Sequence, residues 1–304
     1  MTEGGCAGYI QENHELISEV APELTADYYI QSSESMQQLD DRSVQLVVTS
    51  PPYPMIEMWE EEFGEYETIH NMIENVIQEC WRILDHGCYL CINIGDAVRS
   101  LDRFQYYPNH AEILMYASEI GFDTLVPIHW MKPTNKPNSF LGSGFAPPNA
   151  YITLDTEYIL IFRKGDNREF DANTLRNASH FTKEQRDVWF SQQWKVAGET
   201  QDGYAVFPRE IPYRLIRMFS VLGDTVVDPF CGTGTTLEVG RALGRRVAGY
   251  EVNDELEPHI QDKLSNVDEI GWHDILSNYV QHEQQRNFGV DEFVRNSNTL
   301  VDFI

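Results

Sequence analysis

The run Asp228-Pro229-Phe230-Cys231-Gly232-Thr233-Gly234-Thr235-Thr236 decides the fold. It follows an apolar, β-branched stretch at 224–228 that reads as a buried strand, and it opens a helical pattern at 233–243 that Gly244 ends. A strand, a glycine-rich turn and a helix in that order form a ligand-binding corner. Glycine lets the backbone approach a ligand closely, and the free N–H groups at the helix start face polar ligand atoms. No Gly-Lys-Ser/Thr follows, so the turn is not a phosphate-binding P-loop, and Thr236-Leu237 stands where a dinucleotide fingerprint needs its third glycine. The next strand, 245–251, ends on Glu251, an acid that can take both hydroxyls of a ribose.

The corner therefore suits a nucleoside without phosphates, and S-adenosylmethionine is such a ligand. The residues of this corner expected to hold it are Asp228, Pro229, Phe230, Gly232, Thr233, Gly234, Thr235 and Glu251.

Outward from this corner, short apolar runs alternate with amphipathic stretches, the pattern of an α/β chain. Residues 43–49, 88–94, 123–130 and 157–163 read as strands. Ile69, Ile73, Val76, Ile77, Cys80 and Leu84 recur at helical spacing, with Gly87 as the expected stop. A helix is expected over 110–120, another from Phe207-Pro208 to about 222, and one more from about 254. Residues 131–150 are rich in Pro and Gly and read as a shaped loop. Residues 165–203 are polar, with Trp189, Phe190 and Trp194 among basic residues, and read as an insertion outside the main sheet. Cys88 and Cys91 form a CxxC inside an apolar strand with no second pair at zinc spacing, so they read as buried thiols, and no metal site is expected.

A second motif, Thr49-Ser50-Pro51-Pro52-Tyr53, stands at the end of the strand at 43–49. Ligands of open α/β sheets bind beyond the carboxyl ends of the strands, so both motifs should face one crevice. The exocyclic amine of a base is a poor nucleophile, because its lone pair is delocalised into the ring. Acceptors that grip the amine protons turn that lone pair toward an electrophilic methyl. The Ser50 hydroxyl and the Pro51 carbonyl supply two acceptors, Tyr53 can stack on the base, and Pro51 and Pro52 stiffen the turn. These four residues are the expected catalytic set.

The pair of motifs resembles the amino-methyltransferases acting on DNA, of the β arrangement, in which TSPPY precedes DPFxGTGTT with a target-recognition region between them. Phe207-Pro208-Arg209-Glu210-Ile211-Pro212 is similar to that family's motif around the methionine part of the cofactor, which implies that Phe207 and Pro208 also hold S-adenosylmethionine. Trp130-Met131-Lys132-Pro133 and Thr156-Glu157-Tyr158-Ile159-Leu160 are similar to its later sheet motifs. The resemblance covers about residues 27–265. It implies a Rossmann-like S-adenosylmethionine-dependent methyltransferase fold with circularly permuted motif order, and base flipping. Four parts are expected: a catalytic part at 1–164, a target-recognition insertion at 165–205, a cofactor-binding part at 206–268 and an extension at 269–304. Ser50 at the first position implies N4 of cytosine, whereas Asp or Asn there usually accompanies N6 of adenine. The rivals are N6-adenine methylation, methylation of RNA or of a protein amide, and a non-catalytic DNA-binding protein that keeps the fold. One departure stands out: family members often carry Gly-Asp-Ser ahead of the catalytic strand, and this chain has Gln31-Ser32-Ser33-Glu34-Ser35 there.

Charge bears on the partner. The 304 residues carry a formal net charge of −26, which opposes a phosphate backbone. Five of the six lysines nevertheless fall between 132 and 195, a local basic surface within an acidic chain. Lys132, Lys136, Arg186, Gln193, Trp194 and Lys195 are the expected DNA contacts, since Arg and Gln can read base edges; the alternative for Trp189, Phe190 and Trp194 is a small core of their own. Double-stranded DNA is the expected partner, a cognate restriction endonuclease is compatible, and a monomer or homodimer is expected. No apolar run is long enough for a membrane span, and no secretory signal pattern occurs at the N-terminus, so a cytoplasmic protein is expected. An acid-rich, lysine-poor chain also suggests adaptation to high salt, where screening weakens repulsion from DNA. The expected result is a cooperative fold that strengthens from low to molar salt, checked by denaturation at both; equal stability would refute the adaptation.

Overall fold

The computed structural model describes residues 24–55, 66–100, 104–132, 152, 154–170, 176, 179, 181, 183–201 and 204–270. Lys136, most of the expected shaped loop and nearly all of the expected extension lie outside these residues. In chain order the strands are β1 (Ala26–Ile30), β2 (Val44–Thr49), β3 (Leu84–Ile94), β4 (Ala97–Ser100), β5 (Phe104–Tyr107), β6 (Asp123–Thr124) and β7 (Ile128–Met131). Then follow β8 (Thr156–Arg163), β9 (Gln193–Lys195), β10 (Glu199–Gln201), β11 (Tyr204–Val206), β12 (Thr225–Asp228) and β13 (Arg246–Glu251). The α-helices are α1 (Tyr66–Ile83), α2 (Asn109–Ile120), α3 (Lys183–Trp189), α4 (Glu210–Phe219), α5 (Thr235–Ala242) and α6 (Glu257–Ile270).

A nine-stranded sheet of order β1-β13-β12-β2-β3-β8-β7-β9, with β6 beside β8, forms the middle layer. From β1 to β3 all pairs are parallel; β8 is antiparallel to both β3 and β7, and β9 is parallel to β7. β2 reads VQLVVT, a β-branched run buried on both faces, as a central parallel strand must be. Leu46 and Val48 point into one core, with α4, α5 and α6, while Val47 points into the other, with α1 and α2. Helices therefore cover both faces. α1 does so with Ile69, Ile73, Val76, Ile77, Cys80 and Ile83, a stripe at helical spacing.

Three local expectations are corrected. α1 stops at Ile83, not at Gly87; Gly87 lies inside β3 with φ of 75°, where a Cβ would come within 2.3 Å of the Arg168 amide nitrogen. The strand expected over 123–130 is broken into β6 and β7, with Pro127 between them. The segment 165–203 is not wholly outside the sheet, because β9 pairs with β7 through Trp130 and Trp194. Cys80, Cys88, Cys91 and Cys231 are buried free thiols. Among the described residues no helix is long and apolar enough to cross a membrane, and no cluster of His, Cys, Asp or Glu could hold a metal ion.

Candidate active site

The strand directions bring the chemistry to one edge. β1, β2, β3, β7, β9, β12 and β13 all end there, and antiparallel β8 begins there. Thr49, Asp228 and Glu251 are the last residues of their strands, and Glu157 is the second residue of β8. The two sequence motifs, 179 residues apart at their hinge, meet through one buried hydrogen bond: the Thr49 hydroxyl donates to Asp228 Oδ1 at 2.6 Å. The Phe230 amide donates to the same oxygen at 3.1 Å. Burial pushes the Asp228 carboxyl up to about 6, against the lowering effect of these donors. Expected as a cofactor ligand, Asp228 uses its carboxylate to brace the glycine-rich turn against β2.

Beyond Thr49 the chain turns through buried Pro51 and Pro52 and lays the Tyr53 ring over Gly95. A Cβ at Gly95 would stand 2.9 Å from Tyr53 Cε2, so glycine is what permits the ring to sit there. Asn109 pins the outer side of this turn by donating to the carbonyls of Pro54 and Gly95, each at 3.0 Å. The Tyr53 hydroxyl lies 3.1 Å from Ser50 Oγ and donates to Glu157 Oε2 at 2.8 Å. Burial, followed by the Glu157 charge, raises the Tyr53 phenol well above its usual value, so it remains a donor. The Asn93 side-chain amide reaches Tyr53 Oη at 2.5 Å, Glu157 Oε2 at 2.9 Å and Ser50 Oγ at 3.4 Å. Lys132 closes the set by donating to Glu157 Oε1, and its ammonium stands 4.2 Å above the Trp130 ring.

On the other side of the crevice, Gly232 adopts φ of 53°, and nothing lies within 4 Å of where a Cβ would project. This is a cradle that any side chain would fill. Glu251, half-buried, accepts from the amides of Gly232 and Asn253 at 2.9 Å each. These bonds orient a carboxylate that can still accept from a diol. Behind the turn, the buried Lys263 ammonium donates to the hydroxyls of Thr233 and Thr235, both at 2.8 Å. Phe207 packs against the core on the same side as α4, and Pro208 is buried.

The expected DNA contacts are not brought together. Trp194 is corrected from groove contact to core: it is 1% exposed and its indole donates to the Trp189 carbonyl at 3.0 Å. Polar Gln193 and Lys195 flank it on the edge strand and face outward. Arg186 pairs with its neighbour Asp187, and the turn after α3 lies at the opposite end of β9 from the crevice. Lys132, expected at a phosphate, is ion-paired within the site. Lys195 and Lys132 are the two of the set that stand at the crevice edge. Three site residues carried no assignment from sequence: Asn93, Glu157 and Lys263. Asn93 had a signal, as a polar residue in the middle of the apolar run Cys91-Ile92-Asn93-Ile94.

Known proteins are similar to this chain in sequence and fold. The model of a family described as DNA methylase, the N6/N4 methyltransferases, matches residues 44–262. The chain is 48% identical over 265 residues to the Type II methyltransferase M.MjaI of Methanocaldococcus jannaschii, covering 75% of this chain and 88% of that protein. It is 39% identical over 268 residues to M.MthZI of Methanothermobacter thermautotrophicus, covering 78% and 76%. Among solved structures, a DNA modification methylase of Thermus thermophilus, TTHA0409, in complex with S-adenosyl-L-methionine superposes with a TM-score of 0.67 at 32% identity, over 80% of this chain and 95% of that one. The cytosine-N4-specific PvuII DNA methyltransferase shares the fold, with a TM-score of 0.60 at 19% identity over 79% and 87%.

Proposed function

This chain belongs to the N6/N4 DNA methylase family, and from that premise we propose that it transfers a methyl group from S-adenosylmethionine to the exocyclic N4 amine of cytosine in double-stranded DNA. The observation that carries the reading is Ser50: a hydroxyl at the head of the Ser50-Pro51-Pro52-Tyr53 turn, in hydrogen-bond contact with Tyr53 and tied through Thr49 to the glycine-rich turn. Ser50 Oγ and the Pro51 carbonyl accept the amine protons, which aims the nitrogen lone pair into the crevice. The Tyr53 ring, backed by Gly95, offers its other face to a base taken out of the duplex.

Bound S-adenosylmethionine supplies a methyl group on a sulfonium centre. The residues present suit it: Gly232 leaves room against the backbone, and Glu251, held by the Gly232 and Asn253 amides, is a carboxylate that can accept from the hydroxyls of a ribose. Replacing Glu251 with alanine is expected to weaken S-adenosylmethionine binding about 10-fold to 100-fold, as loss of a charged acceptor to a diol. Titration calorimetry on the protein without DNA checks it, and an unchanged affinity removes Glu251 from the cofactor site.

The Type II relatives support a place in a restriction–modification pair; a monomer or homodimer acting in the cytoplasm is part of the proposal. Residues 165–205 are the proposed target-recognition part, with Lys195, Gln193 and Arg186 as its surface candidates. The test is nucleoside mass spectrometry of random-sequence duplex DNA incubated with the protein and S-adenosylmethionine. N4-methylcytosine is expected, and N6-methyladenine alone overturns the choice of base.

A further inference from the structure

The acceptors and donors around Tyr53 admit one consistent direction. Glu157, as a carboxylate, can only accept. The Tyr53 phenol, kept protonated by burial, therefore gives its single proton to Glu157 Oε2 at 2.8 Å. Its oxygen is left with two lone pairs. One receives the Asn93 amide at 2.5 Å, and the other faces Ser50 Oγ at 3.1 Å. Because the phenol proton is already committed, the Ser50 hydroxyl is the donor in that contact. Its proton is then directed to Tyr53, even with the Asn93 amide 3.4 Å from Ser50 Oγ, which leaves a lone pair for the crevice. The second Asn93 proton also reaches Glu157 Oε2, at 2.9 Å. Lys132 holds the other oxygen, Oε1. Glu157 is 12% exposed at its side chain, so it is held in place at the end of a chain of oriented bonds.

We infer that Glu157, oriented by Lys132 and Asn93, fixes Ser50 Oγ as an acceptor for the target amine and receives the proton that the amine gives up. The inference rests on the amine-methylation reading above. When the N–CH3 bond forms and the S–CH3 bond breaks, the amine nitrogen holds one proton more than the neutral product. That proton passes to Ser50 Oγ, the Ser50 proton to Tyr53 Oη, and the Tyr53 proton to Glu157. The product amine, Ser50 and Tyr53 end neutral, and Glu157 ends as a carboxylic acid. Glu157 touches no substrate atom and is a positioning residue and proton terminus, at a strand start 104 residues from Tyr53 in sequence.

The consequence is coupling. Tyr53→Phe keeps the ring and breaks the chain in the middle; Glu157→Gln keeps the shape and removes the terminal acceptor. Single-turnover methyl transfer, with labelled S-adenosylmethionine and random-sequence duplex DNA, should fall about 100-fold for each variant. The double variant should fall no further than about threefold below either single one, since both cut the same chain. Glu157→Asp, which retains the carboxylate, should recover at least about tenfold over Glu157→Gln. S-adenosylmethionine affinity should be unchanged throughout, which also certifies the fold. Multiplying losses in the double variant, or a Glu157→Gln enzyme as fast as Glu157→Asp, overturn the role of Glu157. Wild-type protein that leaves the duplex pool unmethylated overturns the methylation reading itself.

Discussion

Replacing Ser50 with alanine lowers the single-turnover rate of methyl transfer about 100-fold to 1,000-fold and leaves S-adenosylmethionine affinity within about twofold of wild type. The magnitude follows from removing one preorganised polar group at the reacting atom. The split between rate and affinity follows from position. Ser50 lies past the end of β2, on the side of the crevice proposed for the base, while Gly232 and Glu251 stand on the side proposed for the cofactor. Ser50 is half-exposed, so its loss opens no core cavity. The Thr49–Asp228 bond, which holds the two motifs in register, remains intact. Rapid-quench methylation and calorimetry measure the two quantities. An alanine variant with near-normal turnover would refute the acceptor role, and a variant that loses both rate and cofactor would make Ser50 structural.

Replacing Thr49 with valine destabilises the protein by about 2–3 kcal/mol at pH 8 and by about 1 kcal/mol at pH 5. Valine has nearly the shape of threonine but leaves a buried carboxylate without its hydroxyl donor. Hydrogen bonds to charged groups contribute roughly 1.5–3 kcal/mol. The pH dependence comes from Asp228. Its folded-state value, about 6, is above its ordinary 3.8. Its contribution to stability is therefore fully present below about pH 4 and is lost as pH rises through about 6. Without the Thr49 donor the folded value climbs further, so the loss deepens on the alkaline side, where the wild-type carboxylate is ionised. At pH 5 the protonated acid tolerates the change better. Urea unfolding of both proteins at the two pH values checks this. An equal difference at pH 5 and pH 8 would show that ionisation of Asp228 has no part in it.

The parallel half of the sheet was legible because burial on both faces leaves a continuous β-branched signature. β2, β12 and β13 were readable to within a residue or so, and the two motifs at their ends were read as facing one crevice. The antiparallel half was harder to read. Glu157 enters the site because β8 runs against β3, so that its beginning, not its end, meets the crevice. A reading that looks for function after strands passes over it. Trp194 stood between groove contact and core, and the signal for core was present: Gln193-Trp194-Lys195 alternates polar, apolar, polar, the period of a half-buried strand. Gly87 misled, since a positive φ serves a close approach inside a strand as well as a helix stop. Lys263 was unreadable, because nothing local links a lysine on α6 to hydroxyls about 30 residues earlier.

The internal use of lysine has a consequence for how the protein finds its target. Of the five lysines among the described residues, Lys132 is tied to Glu157, Lys164 donates to the carbonyls of Trp81 and Leu84, and Lys263 is buried behind the glycine-rich turn. Ammonium groups spent inside the fold release no counterions from a phosphate backbone. Sliding along DNA depends on that sequence-independent attraction. Sequence-independent attraction to a phosphate backbone therefore falls to the remaining lysines and to the arginines, which outnumber the lysines in this chain.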